Sequence, residues 1–293
     1  MPRRITADEF DWSASTGPAA QLRAIAAAAD EHDGVVSLNE AAQLHLKHRG
    51  LDGSTLVLDE GGFALLTGSD LDLVVAPEAR SHGLGTALAR EALSGVDREI
   101  DAWSHSDCGA AARIAERLGL PRERELWVMS RPLDATLPAA EPSAGYTVRT
   151  FRDGDEEGLL ETNALAFSHH PEQGHMSLAD FRERQSEDWF DPAGLFLAVD
   201  SEEQILGFHW TKVHREENLG EVYVVAVNPR AAGRGIGKVL TNAGLLHLRD
   251  LGLPTVILYV DGDNAPAIAV YDGAGFTRVR VEAQYRGVPA LAG

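Results

Sequence analysis

The chain has 293 residues, 44% hydrophobic and 24% charged, which suits two soluble globular domains better than one. Asp and Glu outnumber Lys and Arg by 45 to 26, a formal charge of −19 that argues against nonspecific nucleic-acid binding and favours a cationic small substrate. The single cysteine, Cys108, excludes an internal disulfide. An N-terminus without an apolar core, and no apolar run near the ~20 residues of a membrane span, point to a cytoplasmic protein with no membrane partner.

In chain order, Leu38–Lys47 reads as a helix carrying Asn39 and Glu40. Leu71–Pro77 reads as a strand, Glu78–Gly85 as a turn, and an apolar-periodic helix starts at Thr86. A second helix, through Arg113–Leu120, ends on a glycine cap at Gly119, and a strand follows at Arg122–Met129. Asp134–Gly145 is rich in Pro, Ala and small polar residues and reads as a linker. It divides an N-terminal domain, 1–135, from a C-terminal one, 146–293, with 136–145 between them.

The second half predicts helices near Asp155–Phe167 and Leu178–Glu187, then strands Leu195–Val199, Ile205–Val213 and Glu221–Val227. Arg230–Gly237 is a turn and Lys238–Asp250 a helix. Thr255–Val260 is continuously apolar and predicts a strand buried on both faces. A short helix capped at Gly275 and a strand Thr277–Tyr285 close the chain.

The halves match at a constant offset. Pro77 and Pro229, Gly83 and Gly235, and Gly85 and Gly237 are each 152 positions apart, and Gly119 and Gly275 are 156 apart. An internal duplication is the simplest explanation. Hairpins mixed with helical crossovers predict an α/β fold of the α+β type: two tandem copies of a mixed, mostly antiparallel sheet with helices on both faces. Such a duplication can replace the dimer of single-domain relatives, so a monomer is expected.

Gly235-Ile236-Gly237 follows a strand and opens a helix. The first N–H groups of a helix lack internal partners, and glycine lets backbone approach a phosphate closely. The spacing is neither G-x-G-x-x-G nor a P-loop, since Gly237-Lys238 is followed by Val239. Arg80-Ser81-His82-Gly83-Leu84-Gly85 resembles the pyrophosphate-binding turn Q/R-x-x-G-x-G/A of the GNAT acetyltransferase superfamily. Ala232-Gly233-Arg234-Gly235-Ile236-Gly237 fits its glycines and departs at Ala232.

That resemblance implies acetyl-CoA as co-substrate, lying between splayed fourth and fifth strands, and no metal. In the second half the implied contacts are Val225, Ala226, Val227, Ala232, Gly233, Arg234, Gly235, Ile236, Gly237 and Lys238, with Asn264, Ala265, Pro266, Ala267, Ile268 and Ala269 on the following helix. The first half offers Leu73, Val74, Val75, Ser81, His82, Gly83, Leu84, Gly85 and Thr86. The family often places a base on the fourth strand and a tyrosine acid on the helix after the fifth, which here are Glu221 and Tyr271. Their counterparts in the first half are Ser69 and Ala115, so that half is expected to be a noncatalytic cofactor-binding or scaffold domain.

His170–Gly174, Trp189–Leu195, Gly207–Val213 and Leu219–Val224 are, more closely, similar to the mycothiol synthase family of tandem GNAT enzymes. This implies that the acceptor is the cysteinyl amine of cysteinyl-glucosaminyl-inositol, seated between the domains. Glu40, Glu172 and Glu221 suit its ammonium and hydroxyls, and Lys212 and Tyr259 can donate to sugar oxygens. Two other readings stay open: acetylation of another amine, such as an aminoglycoside or a protein N-terminus, and an acyl-CoA sensor without turnover. The run His169-His170-Pro171-Glu172 with His175 matches no standard metal spacing.

Overall fold

The computed structural model describes residues 1–105, 109–133, 142, 144–168 and 173–290. Cys108, Glu172 with the histidines before it, and most of the expected linker lie outside the described residues.

The first half runs β1 (Arg3–Ile5), α1 (Pro18–Asp33), α2 (Glu40–Arg49), β2 (Ser54–Asp59), β3 (Gly62–Thr67), β4 (Asp70–Val75), α3 (Leu84–Ala92), β5 (Ile100–Ser104), α4 (Gly109–Leu118) and β6 (Arg122–Pro132). The second runs β7 (Thr147–Thr150), α5 (Glu156–Ala166), α6 (Leu178–Gln185), β8 (Leu195–Val199), β9 (Ile205–His214), β10 (Leu219–Val227), α7 (Ile236–Asp250), β11 (Thr255–Asp261), α8 (Ala265–Gly273) and β12 (Thr277–Gly287). Helix α2 starts two residues later than expected because Asn39 is its cap, its Oδ1 accepting from Ala42 N at 2.8 Å. Helices α3 and α7 each start two residues earlier than expected, directly after a left-handed glycine, Gly83 (φ 82°) and Gly235 (φ 75°).

The chain forms two compact units. One comprises Met1–Trp127, Asp261–Asp263 and Arg280–Gly293; the other comprises Val128–Val260 and Asn264–Val279. These depart from the linear halves because the closing strands are exchanged. The first unit has strand order β1-β2-β3-β4-β5-β12, and the second β6-β11-β10-β9-β8-β7. β12 pairs antiparallel with β5, from Ala283↔Ser104 to Gly287↔Ile100. Its Ala283 and Tyr285 complete an apolar cluster with Ile100 and Leu118, so burial as well as hydrogen bonding holds the exchanged strand.

The ladders joining β1 to β5 and β12, and those joining β7 to β11, are antiparallel apart from β4–β5 and β10–β11, which are parallel. Alternation decides which helix each side chain meets. In β3, Phe63 and Leu65 join α1 and α2 residues such as Leu22 and Leu46, while Ala64 and Leu66 join Leu88 of α3. In the second unit Leu195, Leu197, Phe208 and Trp210 pack on Leu159 and Phe181 of α5 and α6. Ala198 turns to Ile236 and Leu240 of α7 on the other face. Trp210 and Phe181 are fully buried with ring centroids 5.2 Å apart, so truncating either to alanine costs about 3–5 kcal/mol.

The duplication extends to close contacts. Gly62 and Gly207 each lie where a Cβ would press on a neighbouring strand carbonyl, Val74 O at 2.8 Å and Ala226 O at 2.7 Å. Helices α4 and α8 end alike, with Leu120 N donating to Ala115 O (2.9 Å) and Phe276 N to Tyr271 O (3.0 Å), the longer bond of a glycine-terminated helix. Among the described residues, no helix is long and apolar enough to cross a membrane.

Candidate active site

The segment from β10 to α7 builds an exposed ring of backbone donors. Asn228 N donates to Leu206 O at 2.9 Å, fixing the end of β10 to β9, and Asn228 Oδ1 accepts from Arg230 N at 3.0 Å to start a single 3-10 turn, Pro229–Ala231. Gly233 (φ 78°) and Gly235 (φ 75°) then reverse the chain. Ala232, Gly233, Arg234 and Gly235 are exposed, whereas Ile236 is buried with Leu240 and anchors the helix below them. Gly235 is the N-cap and has no side chain to bond the first helical N–H groups, so those of residues 236–238 face the open turn. Arg234 is tethered there: it donates to Gly145 O at 2.9 Å and its guanidinium lies 5.7 Å from the Tyr146 ring centre.

Beside this turn the sheet opens. β10 and β11 register at only three pairs, Gly220↔Val256, Glu221↔Ile257 and Val222↔Leu258, although both strands continue beyond them. On the other edge of β10, Val222 pairs with Thr211 and Val224 with Trp210, so Tyr223 is an extra residue in a bulge. The bulge turns Val225, Ala226 and Val227 along a new line, toward the α7 turn. β11 is not buried on both faces as its apolar run suggested. Val256, Leu258 and Val260 are covered, but Tyr259 is 40% exposed on the other face. The parting of the two strands leaves that face open.

Glu221 belongs to the middle of the three β10–β11 pairs, one residue before the last, and is 6% exposed. Directly opposite residues in an antiparallel pair project from the same face, so Glu221 shares its face with Lys212, and through β11 with Ile257 and Tyr259. His214, two residues beyond Lys212, donates from Nε2 to Glu221 Oε2 at 2.6 Å. Lys212 Nζ lies 4.7 Å from the Trp189 ring centre and 5.3 Å from that of Tyr223. Arg184 Nε of α6 donates to the Tyr223 hydroxyl at 2.9 Å. A cation over two aromatic faces, one of them the bulge residue, sets the charge pattern around the carboxylate.

Helix α8 follows β11. Asn264 Oδ1 caps it, accepting from Ala267 N at 3.2 Å, and Pro266 suits its first turn. Although its sequence is apolar, none of its residues is fully buried, and Val270 is 50% exposed. Ala265, Pro266, Ile268 and Ala269 therefore present an uncovered apolar surface. Tyr271, on the same helix, meets Phe276 edge-on at 5.8 Å, and burial pushes its hydroxyl up to about 12.

The first unit repeats the turn without the rest. Ser81 adopts φ 66°, the value glycine takes at 233, and Gly83 matches Gly235. Arg80 is committed to structure, with two bonds of 2.7 Å to Asp33 and one of 2.9 Å to Val75 O. Ser81, His82 and Gly83 are exposed, while Leu73, Val74, Val75, Leu84 and Thr86 support the turn from below. At Gly85, Ile114 of α4 reaches within 3.1 Å of the Cβ position, whereas the nearest atom at Gly237 is Val227 Cγ2 at 3.5 Å. β4 pairs with β3 from Asp70 to Val75 with no bulge. Ser69, the expected counterpart of Glu221, lies in an exposed turn; because β4 lacks the bulge, Asp70, opposite Thr67, takes the ladder position of Glu221 instead, and Ala115 is buried. Glu40 stands on the first turn of α2 in this unit, beside its cap Asn39, which also donates to the buried Asp72 at 3.2 Å.

His214 is bonded to Glu221, while Trp189 and Tyr223 surround Lys212 across the ladder and Arg184 holds the Tyr223 hydroxyl. Sequence reasoning did not single out His214, because only the β9–β10 register shows that it reaches the carboxylate. Among the described residues, no group of three His, Cys, Asp or Glu is placed to hold a metal ion.

The Acetyltransferase (GNAT) family model matches residues 160–276. A GCN5-related N-acetyltransferase from Sphaerobacter thermophilus has the same fold, with a TM-score of 0.69 at 24% identity over 98% of this chain and 95% of that one. A tandem GNAT protein from the clavulanic acid biosynthesis pathway superposes with a TM-score of 0.61 at 19% identity, over 80% of this chain and 82% of that one. The mycothiol acetyltransferase of Nocardioides sp. is 49% identical over 286 residues, covering 91% of this chain and 97% of that protein. That of Thermobispora bispora is 47% identical, covering 90% and 94%. With the fold, the doubled glycine turn and near-full-length identity in agreement, the chain belongs to the mycothiol acetyltransferase family of GNAT proteins.

Proposed function

We propose that the chain transfers the acetyl group of acetyl-CoA to the cysteinyl amine of cysteinyl-glucosaminyl-inositol, completing mycothiol, and that the second unit does the chemistry. The observation that carries this reading is the position of Glu221, a buried carboxylate one pair before β10 parts from β11, on a face shared with Tyr259 and Lys212 and close in sequence to the exposed glycine turn.

In this reading the N–H groups at the start of α7 take the pyrophosphate, and the pantetheine arm enters between β10 and β11 across Val225, Ala226 and Val227. The uncovered face of α8, from Asn264 to Ala269, borders it. Backbone N–H groups of the bulged strand, lacking a β11 partner, polarise the thioester carbonyl. Glu221 takes the proton from the acceptor ammonium, whose reference pKa of about 7.7–8.0 makes the step undemanding near neutrality. The amine nitrogen then bonds to the carbonyl carbon and the C–S bond breaks. Tyr271, kept protonated by burial, donates to the departing sulfur. Lys212, Tyr259 and Glu172 serve the sugar and inositol hydroxyls.

The same reading makes the chain a cytoplasmic monomer whose first unit is a noncatalytic scaffold with a second cofactor-type turn. The test is CoA release with cysteinyl-glucosaminyl-inositol, aminoglycosides and a peptide N-terminus compared at equal concentration. Turnover confined to the first supports the proposal. Preference for another amine would reassign the acceptor, and acetyl-CoA binding without turnover on any would make the chain a sensor.

A further inference from the structure

We propose that His214 is a positioning residue for the transfer: it pins one oxygen of Glu221 so that the other is presented to the acceptor amine. The inference rests on the reading of Glu221 as the base. A glutamate has three rotatable bonds, and a buried carboxylate without a partner is costly. Here the Nε2–H of His214 donates to Oε2 at 2.6 Å, a short charge-assisted bond. Oε1 has no hydrogen bond among the described residues.

The contact is diagonal across the ladder. Glu221 is the partner of Lys212, and His214 lies two residues further along β9, on the same face. The imidazole is more open than its partner, with 27% of its side chain exposed against 8% for Glu221, so it covers a carboxylate that is itself sheltered. The charged and titratable groups facing Glu221 are His214 and Lys212 from β9 and Tyr259 from β11, while Arg184 of α6 acts on this face through the Tyr223 hydroxyl. Of these, His214 is the one whose hydrogen bond to the Glu221 carboxylate the structure shows. A donor held at Oε2 stabilises the carboxylate form, so removing that donor is expected to show on the acid side of the pH profile.

The test compares the pH dependence of kcat/KM for wild type, His214→Leu and His214→Gln, with acetyl-CoA KM measured alongside. Gln places an amide N–H near the Nε2 position and does not titrate. For His214→Leu we expect kcat to fall about 10–100-fold, the acid limb to move up by about one pH unit, and acetyl-CoA KM to stay within about twofold. For His214→Gln we expect the plateau rate to recover to within about fivefold, with the acid limb between the other two. Should His214→Leu fail to fold, His214→Gln decides alone: a raised acid limb with near-normal plateau rate supports the role, and a wild-type limb overturns it. An unaltered profile in His214→Leu, or equal crippling of both variants, would also overturn it. Glu221→Gln serves as the control: if it turns over normally, the base assignment fails, whereas an inactive Glu221→Gln beside unaffected His214 variants defeats only the positioning role.

Discussion

Glu221 stands directly across the ladder from Lys212, so a carboxylate and an ammonium leave the sheet on one face, one pair before β10 and β11 part. Two residues later the Tyr223 bulge bends β10, and its ring takes the Lys212 ammonium on one side while its hydroxyl receives Arg184. The first unit has an unbent β4, on which Asp70, opposite Thr67, holds the ladder position that Glu221 holds opposite Lys212, so the two duplicated sheets differ here by the bulge and by the residue across the ladder.

Tyr271→Phe should lower kcat by about a hundredfold with acetyl-CoA affinity unchanged, because the hydroxyl is needed only as sulfur departs. Burial raises this group from 10 to about 12, so the wild-type enzyme should show no alkaline limb from its ionisation below about pH 11. Steady-state rates beside equilibrium acetyl-CoA binding would check both points.

Gly235→Val should raise the KM for acetyl-CoA at least about tenfold and leave saturated kcat mostly intact. The left-handed backbone at φ 75° costs a β-branched residue about 1–2 kcal/mol, and escaping it turns the first N–H groups of α7 away from the phosphates. Gly83→Val, at the matching position of the first unit, should leave both constants near wild type.

His209 predicts an acid-sensitive fold. It is fully buried, its Nδ1–H donates to Leu240 O at 2.8 Å, and a side chain at Gly244 would strike its ring. Burial depresses its pKa from 6.5 to about 4. Below pH 6.5 the unfolded chain takes up a proton that the folded chain refuses, so this contribution to stability is intact above about pH 7 and is lost as pH falls toward 4. Thermal melts should show that decline, and His209→Asn, which keeps a donor near the Nδ1 position, should flatten it.

Much of this was legible locally. Glycines 152 residues apart located both turns, and the first turn even keeps the left-handed conformation at Ser81 where the second uses Gly233. The elements of the second half fell within a few residues of expectation because their hydrophobic periods are strong. What escaped depends on non-local pairing. The run Val222-Tyr223-Val224 carries no sign that its middle residue is a bulge, since all three are β-formers. β11 looked doubly buried because its composition is apolar throughout, yet the parting strands leave Tyr259 open. The exchange of β6 and β12 could not be read from two similar halves, since each closing strand could satisfy either sheet. Lys212 was read only as a donor to sugar oxygens, and the aromatic faces of Trp189 and Tyr223 beneath it came from tertiary packing.

The most direct measurement is the rate of acetyl transfer to cysteinyl-glucosaminyl-inositol by Glu221→Gln at saturating acetyl-CoA, with acetyl-CoA binding measured on the same preparation. A loss of about 10²–10⁴-fold, deepest at low pH and accompanied by unchanged cofactor affinity, is expected of a lost base. Wild-type turnover in that variant would contradict the assignment of the chemistry to this carboxylate.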